Sequence, residues 1–256
     1  MRVSRIRKRI LGVVLALLML LVVFAVSFKI YSGNYYRADD ATISEFENKT
    51  AVNVAAYEEH DGKVFIPTDK DYKAVIVFYP GGKVEYTAYS GLMYELASRG
   101  YVCLLPRMPE NLAFLRVNAV DVMTKNYAQE KQSVEYLDWY LAGHSLGGVA
   151  AATFLSGTDE KFAGIILCAS YTTSDFSDSD YRLLSIYGSE DKVLKMDSYE
   201  ESKALWPKDA EEYVIEGGNH SYFGSYGIQD GDGQPTISNE QQIEEAADVI
   251  SAFCSE

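Results

Sequence analysis

Residues Ile10 to Phe28 form an uncharged apolar run of 19 residues. As a helix rising about 1.5 Å per residue it spans roughly 28 Å, close to the hydrocarbon thickness of a bilayer. Residues 29–50 are polar and mixed, which predicts a tether. Beyond them the pattern changes character. Ala51–Tyr57 and Lys63–Ile66 read as a hairpin turning at His60-Asp61-Gly62. Lys73–Tyr79 is then a continuous apolar run, of the kind found in strands covered on both faces. Strand patterns recur at Tyr101–Leu105, around Trp139–Ala142, at Phe162–Ala169, Arg182–Tyr187 and Glu212–Ile215. Helical patterns lie between or after them, at Tyr86–Arg99, Leu112–Thr124, after Ser145, at Ser198–Trp206 and at Asn239–Phe253. This alternation predicts an α/β domain over residues 51–256, with right-handed crossovers, a mostly parallel central sheet and helices on both faces.

In such a sheet, working groups gather beyond the carboxyl ends of the strands. Ser145 sits there between Gly143 and Gly147, where an apolar strand turns into an alanine-rich helix. That corner pushes the serine oxygen into the open, and the Leu146 N–H at the helix start points to where a carbonyl oxygen would become negative during attack. Gly82, in Pro80-Gly81-Gly82-Lys83-Val84, follows another strand, and its N–H is the expected second donor, with the Lys83 N–H next in line. Asp191 and His220 follow two further strands. Only three histidines exist. His60 falls in the early hairpin and His144 is expected to pack or bond locally, pointing away from Ser145, which leaves His220 as the base.

Charge narrows the partners. Arg2, Arg5, Arg7, Lys8 and Arg9 precede the apolar run; without them 18 basic residues face 37 acidic ones, a balance of about −19, so nucleic acid is not an expected partner. The same five residues predict an N-terminus (1–9) in the cytoplasm, a membrane anchor at 10–28 and a domain outside. A cleaved signal peptide is the alternative, with Ala25-Val26-Ser27 as a small-residue site; the length of the run favours the anchor, and either reading exports the domain. Cys103, Cys168 and Cys254 have no metal spacing and read as small buried hydrophobes. Asp230-Gly231-Asp232-Gly233 lacks the spacing of a calcium loop and reads as a flexible segment.

Four blocks, Phe78–Val84, Gly143–Gly148, Tyr187–Asp191 and Gly218-Asn219-His220, together resemble the α/β-hydrolase fold, and within it the dienelactone-hydrolase-like branch, also called alpha/beta hydrolase fold-5. The likeness covers roughly residues 50–254. It departs at the nucleophile, where dienelactone hydrolases proper have cysteine and this chain has Ser145. The resemblance implies a triad in the order Ser145, Asp191, His220, with Glu190 and the acidic residues Asp175, Asp178 and Asp180 as alternatives for the acid. It also implies a serine hydrolase that needs no cofactor or metal and cleaves a small-molecule ester through an acyl-enzyme. Acyl transfer with the same residues and a non-catalytic binding module are the competing functions. Only about a dozen residues separate the strand ending near Ser170 from the one starting near Arg182, too few for a helical lid. The expectation is therefore an open cleft, shaded by Pro106–Asn111 and Ser221–Ser238, walled by Tyr222, Phe223 and Tyr226, and suited to short acyl groups.

Overall fold

A computed structural model of the chain describes residues 2–126, 134 and 136–255, with residues 2–6, 8, 9 and 124–126 described by their backbone alone. The side chains of Arg2, Arg5, Lys8 and Arg9 therefore lie outside the described set. The chain comprises two units, residues 1–35 and 36–256. The first is one helix, α1 (Arg2–Gly33), whose stretch Ile10–Gly33 is long and apolar enough to be a candidate membrane span. The helix thus continues past the apolar run ending at Phe28.

The second unit is built on eight strands: β1 (Val54–Glu59), β2 (Gly62–Pro67), β3 (Ala74–Tyr79), β4 (Val102–Pro106), β5 (Asp138–His144), β6 (Gly164–Cys168), β7 (Arg182–Gly188) and β8 (Glu211–Ile215). Their order in the sheet is β1-β2-β4-β3-β5-β6-β7-β8. The hairpin β1–β2 and the β2–β4 pair are antiparallel and every other pair is parallel. Side chains alternate across the pleat. Along β3, Ala74, Ile76 and Phe78 enter one apolar layer, and Val75, Val77 and Tyr79 enter the other. Helices cover both layers: α3 (Ser90–Ser98) and α7 (Asn239–Phe253) lie on one, α4 (Ala119–Asn126) and α5 (Leu146–Leu155) on the other, and the short α6 (Met196–Ser202) follows β7. This two-sided burial is why β3 carries no polar residue, each fully buried Val, Ile or Phe contributing roughly 1.5–3 kcal/mol.

Residues 40–50 are not tether. They form α2 (Asp40–Thr50), capped by Asp39, whose carboxylate accepts from the Ala41 and Thr42 N–H groups. Ile43 and Phe46 are buried against the layer that holds α3, and Lys49 pairs with the buried Glu95 of that helix at 2.9 Å. The helix expected over Leu112–Thr124 is broken, with a single 3₁₀ turn at Ala113–Leu115 before α4. Between β6 and β7 the chain forms no helix, so no lid is inserted there.

Candidate active site

The register of the sheet brings the site together. Tyr79, the last residue of β3, lies beside Gly143 of β5, so the loop 80–84 and the corner at Ser145 leave adjacent strands at the point where the strand order reverses. Ser145 has φ 51° and ψ −124°, a conformation that costs a non-glycine residue roughly 1–3 kcal/mol. Its surroundings impose this. The Ser145 N–H donates to the Cys168 carbonyl at 3.0 Å, and its own carbonyl accepts from the Ser170 hydroxyl at 2.7 Å. Gly147 has no room for a side chain, since a Cβ there would sit 2.2 Å from the Tyr79 carbonyl oxygen.

Gly82 lies directly against Leu146, where a Cβ would meet the leucine Cδ2 at 2.8 Å. Among the described residues neither the Gly82 nor the Leu146 N–H has an acceptor. The Lys83 N–H, by contrast, is committed to the Asn111 carbonyl at 2.7 Å, which removes it as a donor to substrate. Lys83 is held at φ 61°. The first residues of the domain strap this loop from outside: the Tyr36 N–H donates to the Lys83 carbonyl, the Glu85 N–H returns to the Tyr36 carbonyl, both at 2.8 Å, and the Ala38 N–H donates to the Glu85 carboxylate. The Tyr36 hydroxyl accepts from the Asp230 N–H at 2.9 Å, tying the strap to the loop after β8.

Asp191 and His220 meet with Oδ2 and Nδ1 2.8 Å apart, both side chains almost fully buried. The second carboxylate oxygen of Asp191 accepts from the Val193 and Leu194 N–H groups, each at 2.8 Å, which fixes its rotamer. Because the carboxylate accepts, His220 Nδ1 carries the proton and Nε2 is left as an acceptor. Asp191 rather than the adjacent Glu190 is the carboxylate against His220, and Asp175 bonds to Ser177 in its own loop. The segment Asp230–Gly233 is far from a loose loop. Asp232 accepts from the Ser221 hydroxyl at 2.6 Å and from the Ser221, His220 and Gly233 N–H groups at 2.9, 3.3 and 2.8 Å. A carboxylate between two glycines gives no sequence sign of this role, because its partners lie about eleven residues away.

His144 is buried and its bonds are long-range rather than local. Nδ1 lies 2.8 Å from the Tyr89 hydroxyl and Nε2 3.0 Å from the His220 carbonyl oxygen. Burial, reinforced by the neighbouring His220 ring, holds its pKa well below the ordinary 6.5, so it is neutral. Burial also pushes the thiols of Cys103 and Cys168 upward, and both are inert packing groups. His60 pairs with Asp61 in the early hairpin, as a solvent-exposed ring.

Ser145 and His220 open into one cleft of about 240 Å³, lined also by Leu146, Val149, Tyr171, Val193, Leu194 and Lys195. The expected aromatic wall is absent from it. Phe223 and Tyr226 are buried in the core, where Tyr226 packs on Tyr36 and Tyr89, and Asn111 braces Lys83. The cleft walls come from α5 and from the loops after β6 and β7, a choice made by tertiary packing that local pattern does not reveal.

Comparison with known proteins places the fold. TT1662 from Thermus thermophilus is similar in structure, with a TM-score of 0.54 over 79% of this chain and 99% of that one. At 15% identity the likeness speaks for the fold alone. No curated protein matches the chain. A family model described as alpha/beta hydrolase family matches residues 75–244, from the second residue of β3 into α7, and supports hydrolase-type chemistry. Since that match takes in the whole parallel part of the sheet and well over half of the residues, the chain belongs to the alpha/beta hydrolase family.

Proposed function

We propose that this protein is a serine hydrolase of short-acyl carboxylic esters, held at the cell membrane by its N-terminal helix with the catalytic domain outside the cytoplasm. The observation that carries the reading is His220, paired with the buried Asp191, opening into the same cleft as the strained Ser145 corner. Ser145 Oγ attacks the ester carbonyl carbon as its proton passes to His220 Nε2. Negative charge gathers on the carbonyl oxygen, which the Gly82 and Leu146 N–H groups receive at the start of α5. Asp191 keeps the imidazole in the required tautomer and stabilises it once charged. Collapse expels the alcohol, which takes the proton from His220, and leaves an acyl group on Ser145. Water then repeats the sequence in reverse roles and frees the acid.

The size of the cleft supports the short acyl group: 240 Å³ lies below the roughly 300–1,000 Å³ of sites that enclose drug-sized ligands. A methylene contributes about 0.8 kcal/mol only where protein surrounds it, so chain extension into solvent brings nothing. Fluorophosphonate labelling of the full-length protein in detergent tests the reading, together with kcat/KM for p-nitrophenyl esters from acetate to palmitate. Capture at Ser145 and a maximum at about two to six carbons are expected. Absence of labelling would favour a binding module, and a rise out to sixteen carbons would refute the short-acyl assignment. Protease added to intact spheroplasts should degrade the domain; protection until lysis would reverse the topology.

A further inference from the structure

Three loops of the site are joined behind the reacting atoms by one line of hydrogen bonds. The Gly81 N–H donates to the Tyr89 hydroxyl oxygen at 3.0 Å, the Tyr89 hydroxyl to His144 Nδ1 at 2.8 Å, and His144 Nε2 to the His220 carbonyl oxygen at 3.0 Å. Only one proton arrangement satisfies all three. A backbone carbonyl accepts only, so Nε2 of His144 carries its hydrogen and Nδ1 is the acceptor; the Tyr89 oxygen, already accepting from Gly81, gives its own hydrogen to Nδ1. Tyr89 is fully buried and His144 and His220 nearly so, leaving water no part in the line. The approach is close enough to exclude a side chain at position 81, where a Cβ would lie 2.6 Å from the Tyr89 oxygen and 2.7 Å from His144 Nδ1.

The line meets a working residue or its immediate chain neighbour at three points. Gly81 precedes Gly82, His144 precedes Ser145, and the His220 carbonyl belongs to the base itself. We infer that Tyr89 and His144 are positioning residues that hold the Gly82 N–H, Ser145 and His220 at one fixed mutual spacing. This inference rests on the hydrolase reading and adds to it the means by which the two sides of the reaction are kept in register. A buried polar line of this kind is stable only when every member is satisfied, so removing one hydroxyl loosens both neighbours.

The test is Tyr89→Phe, which keeps the ring and removes the oxygen. With p-nitrophenyl butyrate, kcat should fall roughly 10- to 100-fold, the scale of a small misplacement of an oxyanion donor, with KM changed by less than about threefold. A short alkyl trifluoromethyl ketone, to which Ser145 adds so that the resulting alkoxide occupies the oxyanion position, should lose affinity by the same factor as kcat/KM. A purely structural role would lower the melting temperature without making inhibition follow turnover. His144→Leu should give a similar loss, and the double variant should be hardly worse than either single. If Tyr89→Phe does not fold, His144→Asn carries the test, since its Oδ1 can accept from Tyr89 while its shorter side chain does not carry an N–H as far as the His220 carbonyl. Unchanged kcat and ketone affinity in a folded variant, or losses that multiply in the double variant, would overturn the inference. A wild-type protein that neither turns over ester nor binds the ketone would instead defeat the hydrolase reading.

Discussion

Asp232 offers the sharpest check on how the base is held. Replacing it by alanine removes the acceptor of the His220 and Ser221 N–H groups and of the Ser221 hydroxyl. Both residues are almost fully buried, so their donors find no ready substitute in water. A hydrogen bond to a charged group contributes about 1.5–3 kcal/mol. Asp232 is itself half-buried and the His220 bond is long, so the low end applies, and two effective bonds give a loss of roughly 3 kcal/mol. Against a total stability of about 5–15 kcal/mol this is a large fraction. At about 2–4 °C per kcal/mol for a domain of this size, Asp232→Ala should melt roughly 6–12 °C lower. Asp232→Asn should lose about half as much, because its amide nitrogen opposes the Ser221 N–H while its oxygen still accepts. Turnover of p-nitrophenyl butyrate at a temperature where both variants stay folded should fall on the order of tenfold or more, through displacement of His220. Thermal unfolding followed by circular dichroism on the full chain in detergent reads the first number and initial rates the second. A melting shift under about 2 °C for Asp232→Ala would show that other contacts hold the loop and that the bond count is wrong.

Ser145→Ala and His220→Ala should each abolish esterase activity, and the double variant should be no worse than either, since the groups act as a unit; residual activity of a tenth or more in Ser145→Ala would disqualify that serine. Asp191→Asn should cost orders of magnitude in kcat while Glu190→Gln stays within about twofold, and the opposite ranking in initial rates would transfer the orienting role to Glu190. His144, facing Tyr89 and His220, should make stability depend on pH. Its folded pKa lies well below 6.5, so below about pH 6.5 the unfolded chain takes up a proton that the folded chain refuses. Stability is fully present above that pH and declines as the pH falls toward the folded value, by up to about 1.4 kcal/mol per pH unit. Melting temperatures of wild type and His144→Asn between pH 7.5 and 5 should diverge in slope, and parallel curves would contradict a neutral buried imidazole.

Much of the sheet was legible because its signals are local. The apolar run over β3, the glycine-boxed serine after β5 and the amphipathic stretch of α7 each declare themselves within a few residues. The Asp191–His220 pairing was expected only through the resemblance to the α/β-hydrolase fold, whose triad order these residues follow, and the two side chains lie 2.8 Å apart. What escaped is set by distant partners. α2 shows only Ile43 and Phe46 as buried apolar residues, too few for a periodic stripe, and its place is decided by α3 and by the Lys49–Glu95 pair. Tyr171, Val193 and Leu194 line the cleft while Phe223 and Tyr226 sink into the core. Aromatic residues near a base invite the opposite reading, and nothing in their spacing distinguishes a pocket wall from packing.

The strap from Tyr36 to Ala38 bears on the processing of the polypeptide. A peptidase acting at Ala25-Val26-Ser27 would leave Tyr36 and Ala38 untouched, still bonded to Lys83 and Glu85. Anchored and released forms would therefore carry the same chemistry, and the cell could change where the enzyme works without changing what it does. Trimming eleven residues further would cut the strap from the loop that bears Gly82, so on the proposed reading a cut between Phe28 and Tyr35 should release an active domain and a cut beyond Ala38 should lower its activity.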